Sequence, residues 1–182
     1  MIELITNIGV LSAVIYLLIL LYLIIGIIRT KTKLTNKEPF VSVIVAAHNE
    51  SLNIAACLDS ILNQNYPHEK MEIIVVNDRS EDDTDTILKK YEKNNNLLQV
   101  VNILECESGV SPKKNALSQG IKISNGDIII TTDADCQVPK LWLKTMLSYF
   151  TPETGVVLGL VILHPTKWIF SRFMCIDAIM NN

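Results

Sequence analysis

Residues 8–28 read IGVLSAVIYLLILLYLIIGII, without one charged side chain. A helix that is apolar on every side has no face to turn to water, so this run dictates a membrane or a deep core. About 20 such residues at ~1.5 Å each match the hydrocarbon thickness of a bilayer. A secretory leader fits poorly: the run is too long, Glu3 stands where a basic segment belongs, and no small-residue cleavage site follows. The expected organisation is a transmembrane helix over 1–28, a basic linker over 29–39 and a folded α/β domain over 40–182. Arg29, Lys31, Lys33 and Lys37 follow the helix and only Glu3 precedes it. Positive flanks stay in the cytoplasm, which puts the N-terminus outside and the domain inside.

Beyond the helix, composition excludes little but points consistently. The net charge of −3 gives no footprint for nucleic acid, and none is expected as a partner. The spacing of Cys57, Cys106, Cys136 and Cys175 fits no zinc pattern, and a cytoplasmic domain keeps them reduced. The basic stretch next to the membrane reads as a solvated linker rather than a lipid-binding site.

From Phe40 onward, strand-like and helix-like segments alternate. Residues 40–46, 71–76, 97–104 and 127–132 are apolar and β-branched, and 156–163 reads as a fifth strand. Between them, apolar residues at 52, 55, 58 and 62 keep helical spacing. Ser80 and Asp83 resemble a capping box opening a helix to about Tyr91. Ser111-Pro112 reads as cap and first turn of a helix to about Ser124. A further helix runs from Pro139 to about Phe150. This alternation predicts a mostly parallel sheet with helices on both faces, its strands buried on both sides.

In such sheets ligands bind beyond the carboxyl ends of the strands. The polar residues collect there: Ala47-His48-Asn49-Glu50, Asn77-Asp78-Arg79-Ser80 and Asp133-Ala134-Asp135. Glu50 could equally cap the next helix. Asp82, Asp83 and Asp85 suit an acidic first helical turn as well as a site. That alternative is weaker for Asp78 and weakest for Asp133 and Asp135. Two neighbouring carboxylates raise each other's pKa unless a cation joins them. Hard oxygen donors of this kind suit Mg²⁺ or Mn²⁺, which also accept phosphate oxygens. Lys113 and Lys114, at a helix start, fit either an anion site or two solvated surface cations.

Taken in order, VSVIVAAHNE, IIVVNDRSEDDT, KKNALSQGI and GDIIITTDADC resemble the nucleotide-binding half of a family-2 glycosyltransferase with the GT-A fold, over about residues 40–165. Asn49-Glu50 matches the family's P-x-Y-N-E motif, with Ala46 and His48 in place of Pro and Tyr. Lys113 matches the lysine of G-K-x-x-A-L, with Pro112 for Gly. The resemblance implies nucleotide-sugar binding by Ala47, Asn49, Glu50, Asp78, Lys113 and Asp133, with Asp78 on the base. It implies a divalent cation, Mg²⁺ or Mn²⁺, on Asp135 and Asp133. The implied reaction is inverting sugar transfer from a UDP- or GDP-sugar to an acceptor hydroxyl, in the making of a polysaccharide, glycolipid or cell-envelope glycan. The family's general base lies well downstream, and Asp177 comes too early to match it. The chain is therefore expected to be the donor half of a longer protein, inactive in transfer by itself, with 168–182 an interfacial helix or, the favoured reading, an orphaned core helix.

Two rival readings differ in class. A nucleotidyltransferase of similar fold would be expected to carry a Gly-rich loop after the first strand, and AAHNE has no glycine. A non-catalytic regulatory α/β domain would have no use for Lys113 ahead of D-x-D. The orientation is checked by fusing alkaline phosphatase or a fluorescent cytoplasmic reporter after Asn182. Signal only from the cytoplasmic reporter is expected; active phosphatase would reverse the topology.

Overall fold

The computed structural model describes residues 2–29, 35, 37–105 and 109–159. Helix α1 spans Ile2–Arg29. Within it Thr6–Ile25 is long and apolar enough to cross a membrane, and its side chains are exposed. The chain divides into two units, residues 1–34 and residues 35–182.

The second unit is built on four parallel strands in the order β3-β2-β1-β4: β1 Val41–Ala47, β2 Met71–Asp78, β3 Leu98–Ile103 and β4 Ile128–Asp133. Helices α2 (Ile54–Leu62), α3 (Thr84–Asn94), α4 (Pro112–Ile123) and α5 (Trp142–Ser148) connect or follow them. Strand side chains alternate between faces. Val43, Val45, Ile73 and Val75 meet Ile54, Leu58 and Ile61 of α2, Leu88 of α3 and Leu143 of α5 in one core. Ile44, Ile74 and Val76 meet Ala116 of α4 in a second, smaller one. The layered architecture is thus the one expected. Each fully buried Val, Ile or Leu contributes roughly 1.5–3 kcal/mol, and strands and helices both supply such residues. On the α4 face, a Cβ at Gly120 would lie 2.7 Å from Ile44 Cγ2, which lets α4 approach β1 closely.

Four readings of local structure change. β4 is not buried on both sides: among the described residues it pairs only with β1, and Ile129 and Thr131 are exposed. An apolar run shows that a strand can be covered, not which neighbours cover it. Ser80 and Asp83 form no capping box. Asp83 occupies the cap position of α3 without a side-chain hydrogen bond, and the Thr84 N–H goes to Asp82 instead (3.0 Å). The last helix starts at Trp142 rather than Pro139; the Pro139 carbonyl accepts the Trp142 N–H (2.8 Å). Of the expected fifth strand, residues 156–159 are not in a strand and 160–163 lie outside the described residues. Cys106, Cys175, Asp177 and the segment 168–182 lie outside them too.

At the amino ends of the strands one carboxylate ties three of them together. Glu72 on β2 accepts the Ser42 hydroxyl of β1 and the Asn125 N–H (2.6 Å) and side-chain amide (3.2 Å) just before β4. The Gly126 N–H reaches Ser42 Oγ (2.8 Å), and any Cβ there would overlap the Ser42 backbone. Burial pushes the Glu72 carboxyl up, but the Asn125 and Ser42 hydrogen bonds outweigh it and hold the group below its ordinary value. A carboxyl lowered in the folded state stabilises above its unfolded pKa, and that stability is lost as pH falls through the folded value. Glu72→Gln should therefore destabilise by about 1–3 kcal/mol at pH 7. The gap to wild type should close as pH falls below ~4, measured by urea unfolding at both pH values.

Candidate functional site

Strand order fixes where a ligand can sit. From β1 the chain moves to β2 and β3 on one side and returns to β4 on the other, so the connections diverge between β1 and β4. Crevices at such a switch point, beyond the carboxyl ends of the strands, take ligands. Registers Ala46↔Asp133 and Ala47↔Asn77 bring the ends of β4 and β2 level with the end of β1. The crevice formed there has a volume of about 370 Å³, within the usual range for small-molecule sites. Alanines 46, 47, 116 and 134 line it alongside His48, Glu50, Asp78, Arg79, Lys113 and Asp135. Their small side chains leave room for a ligand where larger ones would fill the space.

Two loops leave this edge and brace each other. Asn49 N–H donates to Ser80 Oγ (3.0 Å), and Glu81 N–H donates to Asn49 Oδ1 (2.7 Å). Glu50 N–H donates to Thr84 Oγ1 (2.8 Å), and Ser51 N–H to Asp82 (3.0 Å). The Thr84 hydroxyl and the Ser51 and Thr84 N–H groups hold the Asp82 carboxyl far below its ordinary value. His48 Nδ1 lies 2.6 Å from the Asp78 carbonyl. A carbonyl only accepts, so Nδ1 carries the proton. Asn49 and Arg79 have φ of 55° and 53°, the left-handed region that non-glycine residues seldom occupy. Both sit where a strand turns sharply into its loop.

The charged groups divide into two pairs. Asp78, with a side chain 6% exposed, is gripped by Arg79: Nε to Oδ1 at 2.7 Å, and the Nη2 amino group to Oδ2 at 3.2 Å. Lys113, in the first turn of α4, reaches Asp133 Oδ1 at 2.7 Å. Both members of that pair are more than half exposed. An exposed pair stabilises by at most about 1 kcal/mol, so an incoming anion can draw the lysine away at little cost. The α4 amino end adds its own positive potential.

Of the residues expected from sequence, Ala47, Glu50, Asp78, Lys113, Asp133 and Asp135 all line the one crevice. Asn49 does not, since its side-chain oxygen is used by Glu81; Glu50 also accepts the Asn53 amide (2.8 Å). Lys114 lies outside the crevice. Arg79 was not foreseen as a site residue. The signal that could have found it is an arginine directly after a strand-end aspartate. Beneath the floor, burial and the nearby Cys136, Asp135 and Asp133 push the Cys57 thiol up to about 12, so it stays protonated.

The donor set fits a hard divalent cation that shares its ligands with phosphate. Asp133 and Asp135 supply carboxylate oxygens to the same crevice. Among the described residues no group of three or more His, Cys, Asp and Glu gathers to hold an ion unaided. Mg²⁺ and Mn²⁺ are commonly bound by one or two carboxylates, with phosphate oxygens and water completing the shell.

Comparison with known proteins defines the class: the chain belongs to glycosyl transferase family 2, whose profile matches residues 42–174. It is 34% identical over 144 residues to the probable glycosyltransferase YdaM of Bacillus subtilis (strain 168), covering 78% of this chain and 34% of the relative. It is 34% identical over 123 residues to glycosyltransferase AglE of Haloferax volcanii, covering 68% and 39%. Its fold matches a solved mannosyltransferase, PcManGT of Pyrobaculum calidifontis in complex with GDP-Man and Mn²⁺. The TM-score is 0.54 at 30% identity, over 62% of this chain and 33% of that one. The fold is GT-A, as the sequence resemblance implied. The chain spans about a third of the length of these relatives.

Proposed function

We propose that this chain carries the donor site of an inverting glycosyltransferase acting at the inner face of a membrane. The observation that carries the reading is convergence: Asp78, Lys113, Asp133 and Asp135 come from the ends of two strands and the start of one helix, and line one crevice of nucleotide size. Asp78, at the β2 end, receives the base edge. The diphosphate lies against Lys113 and the first turn of α4, where positive potential is concentrated. Asp133 and Asp135 would hold Mg²⁺ or Mn²⁺, and Asp133 would also contact the ribose or diphosphate. Bound there, the cation would neutralise charge on the departing diphosphate. The residues around it keep the diphosphate fixed, so that little reorganisation accompanies bond breaking. The Mn²⁺ and GDP-Man of the similar mannosyltransferase support the donor class. No described residue is given the general-base role, and acceptor activation falls to a group outside this crevice. The apolar helix over Thr6–Ile25 suits an acceptor made at a membrane: a polysaccharide, glycolipid or cell-envelope glycan. The basic residues after it favour a cytoplasmic domain, where nucleotide sugars are made.

The test is calorimetry of nucleoside diphosphate with Mn²⁺. Asp135→Ala should weaken Mn²⁺-dependent binding by at least about tenfold, the loss of one hydrogen-bond-strength ionic contact. Its thermal unfolding should be unchanged, because an exposed acid past a strand end packs little. Equal affinity in the variant would remove Asp135 from the cation site.

A further inference from the structure

We propose that Arg79 sets the base preference of this site, directing Asp78 to uracil and against guanine. This rests on the donor-site reading above. The Arg79 guanidinium lies side-on to the Asp78 carboxylate, Nε at 2.7 Å from Oδ1 and Nη2 at 3.2 Å from Oδ2. Such a fork takes the two lone-pair directions that converge in front of the carboxylate. A carboxylate has about four lone-pair sites in all, and the two that remain diverge to either side.

The bases ask different things of that carboxylate. Guanine offers two parallel donors, N1–H and the N2 amino group, which need the convergent pair that Arg79 already holds. Uracil offers a single donor, N3–H, between two carbonyls, and one divergent lone pair satisfies it. Asp78 has little freedom to rearrange. Its side chain is almost fully buried, and His48 holds its carbonyl at 2.6 Å.

The backbone adds a second, independent sign. Arg79 has φ of 53°, a conformation that glycine adopts freely and a long side chain seldom does. Strain kept at a site wall calls for a use of the side chain. The Arg79 side chain reaches the carboxylate of the preceding residue and lines the crevice beside His48 and Asp78.

The experiment measures UDP and GDP binding with Mn²⁺ on the full 182-residue chain in detergent micelles, for wild type, Arg79→Gly and Arg79→Lys. Glycine accepts the 53° φ, so the first variant keeps the loop, and circular dichroism confirms it. Wild type should bind UDP at least about tenfold more tightly than GDP, the scale of one charged hydrogen bond. Arg79→Gly should bring the two affinities within about threefold by improving GDP, and Arg79→Lys, a cation without the fork, should fall between. The same UDP-to-GDP ratio in wild type and in a folded Arg79→Gly, or a wild type that prefers GDP, would overturn the role of Arg79. Binding of neither nucleotide by wild type would overturn the donor-site reading itself.

Discussion

The pairing of β1 with a parallel neighbour on each side is the constraint from which the rest follows. Val41, Val43, Ile44 and Val45 are completely buried, so a slip of one residue would exchange the faces that meet α2 and α4. With register held, Ala46 must stand level with Asp133 and Ala47 with Asn77. The Glu72, Ser42, Asn125 and Gly126 cluster fastens the same three strands at their opposite ends. Asp78 and Asp133, far apart in sequence, are thereby set at one edge of the sheet with only β1 between them, two strand spacings or roughly 10 Å apart.

Stability and function divide along the strands. Their middles are apolar and covered on both faces in β1 and β2. Their carboxyl ends carry alanines, charges and two left-handed residues, Asn49 and Arg79. That edge would be a poor place for folding energy. The cross-loop hydrogen bonds of Asn49, Glu50 and Ser51 offset the cost by satisfying backbone N–H groups that would otherwise lack partners. The result is an edge that is ordered yet open, which a site of preformed dipoles requires.

Much of this was legible in the sequence, because hydrophobic period and strand-end chemistry are local. The four strands, the helix opened by Ser111-Pro112, and the gathering of Asp78, Lys113, Asp133 and Asp135 at one edge follow from that reading. What was not legible depends on partners distant in the chain. Ser80 looks like a cap for α3, but Asn49, thirty-one residues earlier, takes its hydroxyl. Ile128–Ile130 look like a central strand, yet β4 has only β1 beside it among the described residues. Asn49 matches a binding motif, and its side chain serves the neighbouring loop. Arg79 is marked in the sequence only by its place directly after a strand-end aspartate, and its φ and its grip on Asp78 show in the fold alone.

On the proposed reading, the crevice between β1 and β4 receives a nucleoside diphosphate and its cation together. Crystals grown with UDP and Mn²⁺ test it directly through the manganese anomalous signal. A single strong peak touching Asp135 and Asp133 is expected, with diphosphate density between it and Lys113. A peak elsewhere, or diphosphate density away from Lys113 and the start of α4, would contradict it.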